Sequence, residues 1–240
     1  THCGGNKMNK LSINVRSILL VLVVSLGLAS CAEMETKSQA YPLMYTDAQP
    51  KTLLVVPAIN KSTAADATDL INATLTMPFA DAGYYVLPIA IASEVFALEG
   101  ITDGSQIASL PMSVFANNFG ADSVLFVTIN KWDTNYVVIA SNVTVGMSYV
   151  LMSTSTNEVL WSYDAEVVIN PNQNSSGSIL ADLIITALST AAQDYIPIAR
   201  QVNASAVVTL PFGRYHPKYG SDGAASVVLK QSREKALGQN

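Results

Sequence analysis

Apolar and polar positions along the chain change texture several times, and each texture predicts an element. Ile18 to Leu28 is apolar but for Ser25 and Gly27, and the run stops at Cys31. KTLLVVPAIN, from Lys51 to Asn60, is short, branched and ended by proline, the pattern of a buried strand. Ala67, Leu70, Ile71, Thr74 and Leu75 then recur at helical spacing. Ser62 or Thr63 serves as N-cap, with Asp66 and Asp69 in the first turns. Pro78 predicts a kink or restart and Gly83 a stop. GYYVLPIAIA predicts a second apolar strand, and strand, helix, strand at this spacing predicts a right-handed crossover. ASEVFALEG and SLPMSVFANNFG predict two short helices closed by Gly100 and Gly120.

From Asp122 the period becomes two. DSVLFVTINKW, NYVVIA, NVTVGMSYVLMST and EVLWSYDAEVVI alternate and are separated by DT, SN and STSTN, which predicts an antiparallel meander. The polar loop NPNQNSSGS leads into Ile179 to Ala199, where apolar residues at 179, 180, 183, 184, 187, 188, 191 and 192 predict an amphipathic helix. Asp182, Gln193 and Asp194 argue against a second membrane anchor there. The expected fold class is therefore α+β: a crossover strand-helix-strand half plus an antiparallel meander, with helices packed on the sheet. The expected boundaries are upstream residues and leader over 1–30, a polar tether over 31–50, a single α+β domain over 51–210, and a C-terminal loop with a loosely ordered tail over 211–240.

The first apolar run is an address label. A spanning helix needs about 20 predominantly apolar residues, and this run is shorter. Met8, Lys10 and Arg16 give it a basic start, and small residues precede the cysteine, as in a secretory signal peptide. Thr1 to Lys7 lie upstream of Met8 and are read as translated upstream sequence or a cloning remnant. Leu28-Ala29-Ser30-Cys31 resembles the bacterial lipobox. That resemblance implies a mature chain starting at Cys31, with diacylglycerol on its thiol and a further acyl chain on its amine. Two or more chains hold durably where one is marginal, each buried methylene contributing about 0.8 kcal/mol. Ala32 after the cysteine implies the outer membrane, facing the periplasm, since aspartate there resembles the inner-membrane retention signal.

Composition then removes several classes of function. With Cys3 upstream and Cys31 lipidated, the mature chain keeps no pair to oxidise. His216 is its single histidine, so no zinc cluster and no metal site is expected. A net charge of −5 with 13% charged residues and no basic stripe excludes nucleic acid as a partner. No P-loop, dinucleotide fingerprint or nucleophile elbow is present, so no cofactor and no catalytic residue is expected.

A few residues retain chemistry. Asp164 and Glu166 share a strand face and suit a cation, though an exposed polar face explains them more simply. Trp132 and Trp161 read as core packing. PFGRYHPKYG, Pro211 to Gly220, interleaves Arg214, Tyr215, His216, Lys218 and Tyr219 with turn residues. It serves either as a partner contact or as a strap across the domain. The alternation in NYVVIASNVTVGMSYVL suits a hairpin of an oligomeric membrane barrel as well as a soluble sheet.

MPFADAGYYVLPIAIASEVFALEGI, FGADSVLFVTINKWDTNYVVI and GRYHPKYG together resemble a family of bacterial lipoproteins of unknown function that includes the neisserial GNA-type lipoproteins. The likeness runs from about Lys51 to Tyr219 and brings no catalytic motif. In fold the family is similar to the periplasmic domain of the curli-export lipoprotein, the N-terminal domain of the Tol-system propeller protein, and lipoprotein activators of peptidoglycan synthases. This implies a non-enzymatic scaffold or adaptor in an envelope assembly, meeting the membrane through its lipid and meeting envelope proteins or peptidoglycan-associated factors. An oligomeric export-channel component, hence a homo-oligomer, is the alternative, and a cell-wall hydrolase the least expected.

Overall fold

The computed structural model describes residues 33–46, 49–137, 140–169 and 196–238, with the side-chain account omitting 133–137, 140–143 and 169. Cys31 and most of the expected helix over Ile179 to Ala199 lie outside the described residues. The segment expected to be a tether is folded from Met34 onward: β1 (Met34–Thr36), α1 (Lys37–Ala40) and a 3-10 turn (Pro42–Tyr45). Its local reason is a capping box, in which the Gln39 amide donates to the Thr36 hydroxyl and the Thr36 amide to the Gln39 side chain. Its tertiary reason is that Tyr41, Met44 and even Lys37 are buried. Nothing local announces the burial of Lys37, because its ionic partner lies 185 residues away.

The crossover half is built as expected and trimmed by its prolines and caps. β2 (Thr52–Val55) and β3 (Ile59–Asn60) precede α2 (Ala67–Asp81). The helix starts later than Ser62 or Thr63, since the Ser62 amide and hydroxyl both donate to Asn60 in a turn. It is continuous through Pro78, whose missing N–H falls in the last turn and costs one bond. β4 (Tyr85–Val86) is shorter than GYYVLPIAIA suggests. Pro88 lacks an N–H and caps α3 (Ile89–Leu98), so IAIA is helical. α4 (Met112–Phe119) ends at Gly120 in the left-handed region, φ 64°.

The meander has three long strands in place of four. β5 (Ser123–Val137) and β6 (Ala140–Ser153) run through DT and SN, with Asp133 opposite Thr144 and Asn135 opposite Asn142. Polar residues sit there on an alternating strand without breaking the ladder. β7 (Val159–Ile169) follows a turn that holds Asn157 at φ 63°. The sheet order is β4-β2-β5-β6-β7 with β3 beside β5. β2 is parallel to β4 and β5, and β5, β6 and β7 are antiparallel.

Alternation along the parallel strands sorts the core into two layers. Leu53, Val55, Leu125 and Val127 face a cluster that includes Ile71, Leu75 and Phe79 of α2 and Ile198, Val202 and Ala206 of α5 (Ile196–Val207). Leu54, Val56 and Val124 face Ala92 and Phe96 of α3 and Met112 and Phe115 of α4. Helices thus cover both faces of the parallel half, as its doubly apolar strands require. A buried chain of hydrogen bonds crosses the first layer, from the Tyr149 hydroxyl to Asn203 (2.6 Å) and from the Asn203 amide to Thr74 (2.9 Å). α5 runs past the expected end at Ala199 because Ile198, Val202 and Ala206 repeat every four residues onto the sheet.

The tail expected to be loose is also folded. β8 (Ser226–Leu229) pairs antiparallel with β1, and α6 (Lys230–Ala236) packs on β7. Val228 is fully buried, and Lys235 donates to Asp164 at 2.7 Å. Of the residues that suggested mobility, Gly220 and Gly238 lie in turns at positive φ, and Lys230 and Lys235 are held by Glu33 and Asp164.

Candidate functional site

The loop from Pro211 to Gly220 is laid against the turn that ends α2. Gly83 sits at φ +92°, and a Cβ there would lie 2.4 Å from the His216 amide nitrogen. A Cβ on Gly213 would lie 2.3 Å from the Gly83 carbonyl oxygen. Two glycines facing each other let the backbones bond directly. The Gly213 amide donates to Ala82 (2.8 Å), the Tyr215 amide to Gly83 (3.1 Å), and the Tyr84 hydroxyl to Pro211 (2.7 Å).

With the backbone fixed, the side chains divide. His216 is half-buried and stacks on Phe212, ring centroids 3.7 Å apart and planes 12° apart, while its Nδ1 accepts from the Lys218 amide. Arg214 is half-buried, and Lys218 is exposed. Tyr215 is 65% exposed and Tyr219 45%. The loop therefore straps the domain with its backbone and with Phe212 and His216, and turns two aromatic faces and a cation outward. His216, the base a hydrolase would use, is engaged within this stack.

Beneath the loop lies a buried ion pair that sequence reading missed. Lys37 Nζ donates to Asp222 at 2.8 Å and to the Leu210 carbonyl at 2.7 Å, and lies 4.9 Å from the Phe212 ring centroid. Asp222 also accepts from the Phe212 amide (3.0 Å) and the Tyr45 hydroxyl (3.2 Å). Burial first, and then the Asp222 charge, hold the Tyr45 hydroxyl protonated well above the usual tyrosine range. Burial does the same for Tyr84. Each partner of this pair stands in a stretch that reads as polar linker, so no local pattern announced it.

An apolar cavity of ≈ 520 Å³ opens beside the pair, lined by Pro78, Ala82, Ala204, Val207, Phe212 and Val227 among others. α3 carries a second apolar surface, since Ile91, Val95 and Leu98 are exposed opposite its buried face. The signal was in the sequence: IAIASEVFAL is apolar except at Ser93 and Glu94, and a helix with one buried face must then show apolar residues to solvent.

The remaining sequence candidates resolve into structure. Asp164 is buried among Lys235, Ser148 (2.8 Å) and Asn130 (3.5 Å), while Glu166 is exposed and pairs with Lys131 at 3.0 Å. Both tryptophans are buried, and Trp161 donates to Thr209 at 3.0 Å. No group of three or more potential metal-binding side chains occurs among the described residues.

A mixed sheet with helices packed on it and a strapped C-terminal loop defines an α+β domain. The chain belongs to the family described as "Putative lipoprotein GNA1162-like", which matches residues 41–212. It is 28% identical over 196 residues to "Putative lipoprotein NMB1124/NMB1162" of Neisseria meningitidis serogroup B, covering 82% of this chain and 90% of that one. The crystal structure of lipoprotein GNA1162 from Neisseria meningitidis is similar at 30% identity and TM-score 0.50, over 60% of this chain and 98% of that one. A weaker likeness, 16% identity and TM-score 0.43, links it to the PelC dodecamer from Paraburkholderia phytofirmans, over 68% of this chain and 89% of that one. The family match ends at residue 212, so Arg214 to Tyr219 lie just past it.

Proposed function

We propose that this chain is a lipid-anchored outer-membrane protein facing the periplasm, which acts without catalysis as a scaffold or adaptor in a cell-envelope assembly. Cys31 carries the lipid, and Arg214, Tyr215, Lys218 and Tyr219 meet the partner, an envelope protein or peptidoglycan-associated factor. His216 holds the loop by stacking. One observation carries the reading: the loop backbone is fixed on Gly83 while Tyr215 and Tyr219 face solvent. A contact surface ordered in advance loses little freedom on binding, and interface energy concentrates in a few aromatic and arginine anchors. Among the described residues no helix is long and apolar enough to cross a membrane.

The test is in two parts. Cys31→Ser is expected to release the folded domain from the membrane fraction or stall it as precursor, and a variant still processed and held in outer-membrane fractions contradicts the anchor. Replacing Arg214, Tyr215 and Tyr219 together by alanine is expected to abolish partner crosslinks at nearly unchanged melting temperature. Retained crosslinks beside a large fall in melting temperature leave the loop as a strap alone.

A second reading, an oligomeric export-channel component, draws on the length of one hairpin. Among the described residues, β5 and β6 pair from Thr134–Val143 to Val137–Ala140, and the pairing of β7 with β6 is described as far as Val143. A two-stranded ribbon is marginal in water by itself, so neighbouring copies would stabilise it. Sedimentation of the lipidated chain in detergent separates the readings, since a closed multimer favours the channel and a monomer the adaptor.

A further inference from the structure

We infer that the domain is held close to its own bilayer by a leash of two residues, with the β1–β8 ribbon at the lipid headgroups. The inference rests on the proposed lipidation of Cys31 and then on geometry. Two residues, Ala32 and Glu33, and so three Cα steps, separate Cys31 from Met34, the first residue of β1. A fully extended chain covers about 3.3–3.6 Å per residue, so Met34 lies within about 10 Å of the lipidated backbone. The headgroup layer of one leaflet is itself about 5–8 Å deep. Little leash therefore remains once it has left the membrane.

The leash cannot lengthen without dismantling the fold. Met34 lies opposite Leu229, Glu35 opposite Val228, and Thr36 opposite Ser226. Lys37 then enters the buried pair with Asp222, and Tyr41 and Met44 are core residues. The carboxylates at the approach are matched by cations of α6, Glu33 by Lys230 at 3.1 Å and Glu35 by Arg233 at 3.0 Å. The ribbon can thus meet headgroups without uncompensated negative charge. The consequence is functional: this domain works at the surface of its own membrane, and a partner anchored elsewhere must reach to it.

The experiment uses the lipidated full chain in vesicles of bacterial phospholipid that carry nickel-chelating headgroups. Ser226→Cys supplies the single free thiol of the mature chain, on an exposed position of β8, for a nitroxide spin label. The label reports the folded ribbon, because position 226 reaches the membrane through strand pairing alone. A second chain adds a 20-residue Gly/Ser segment between Ala32 and Glu33, a coil of about 25 Å root-mean-square length. Strong relaxation of the label by headgroup nickel in the native-length chain, falling severalfold in the lengthened one, is the expected result. Equal relaxation in the two chains, weak or strong, overturns the leash while the anchor stands. Protein that fails to float with the vesicles overturns the anchor reading, and the inference with it.

Discussion

The buried pair of Lys37 and Asp222 ties together the two segments that read as linkers. Removing one partner leaves the other charge desolvated and alone, so Lys37→Met is expected to cost about 3–5 kcal/mol. Lys37→Met with Asp222→Leu should recover most of that loss, because a hydrophobic pair of similar volume is often neutral or better. Urea midpoints of the three chains check this, and a double variant as unstable as the single one contradicts it. The buried tyrosines predict alkaline sensitivity. Burial raises the hydroxyls of Tyr41, Tyr84 and Tyr149 above their ordinary value of 10.0. The folded state then binds more protons than the unfolded one once pH exceeds that value. Their contribution is complete below about pH 10 and declines as pH rises above it, so urea midpoints should fall steeply there and less steeply in Tyr84→Phe. At this scale the outward residues Tyr215 and Tyr219 were legible, since a crowd of aromatics and cations among turn residues has no core pattern. Lys37 and Asp222 were not, because a contact across 185 residues leaves no local pattern.

Among elements, the strap depends on the two facing glycines. Gly83→Ala forces a side chain into the left-handed region, costing about 1–2 kcal/mol, and drives its Cβ into the His216 amide. Gly120→Ala meets the same backbone cost at φ +64° but has open space around it. Gly83→Ala should therefore lower the melting temperature clearly more than Gly120→Ala, and equal shifts would show that the loop does not press on Gly83. Gly213→Ala should resemble Gly83→Ala by contact alone, since its Cβ would strike the Gly83 carbonyl. Periodicity located the parallel strands, α2, α4 and the meander, because each buries a face whose spacing survives in the sequence. It misjudged boundaries where one residue overrides the pattern. Pro88 converted IAIA from strand to helix, and ladder pairing carried β5 and β6 through their polar interruptions. The short β1 and β8 stabilise each other and are too brief to show alternation.

For the whole molecule, the proposal joins a lipid at Cys31 to a contact loop on the domain that begins at Glu33. The α+β class followed from alternation, while the two-layered core and the folded ends did not, since composition describes solvation and the ends are ordered by distant contacts. The domain from Glu33 onward should keep its fold without lipid, because the described sheet and the helices α2 to α5 share two buried apolar clusters of their own. A chain from Glu33 that stays aggregated unless detergent is present would contradict this and favour the channel. The most direct test of the central claim is a photo-crosslinking residue placed at Tyr215 of the lipidated chain in living cells, compared with one at exposed Asn118 on α4. The account predicts a discrete protein adduct in the outer-membrane fraction from position 215 and none from 118. Identical adducts from both positions, or none from either, would contradict it.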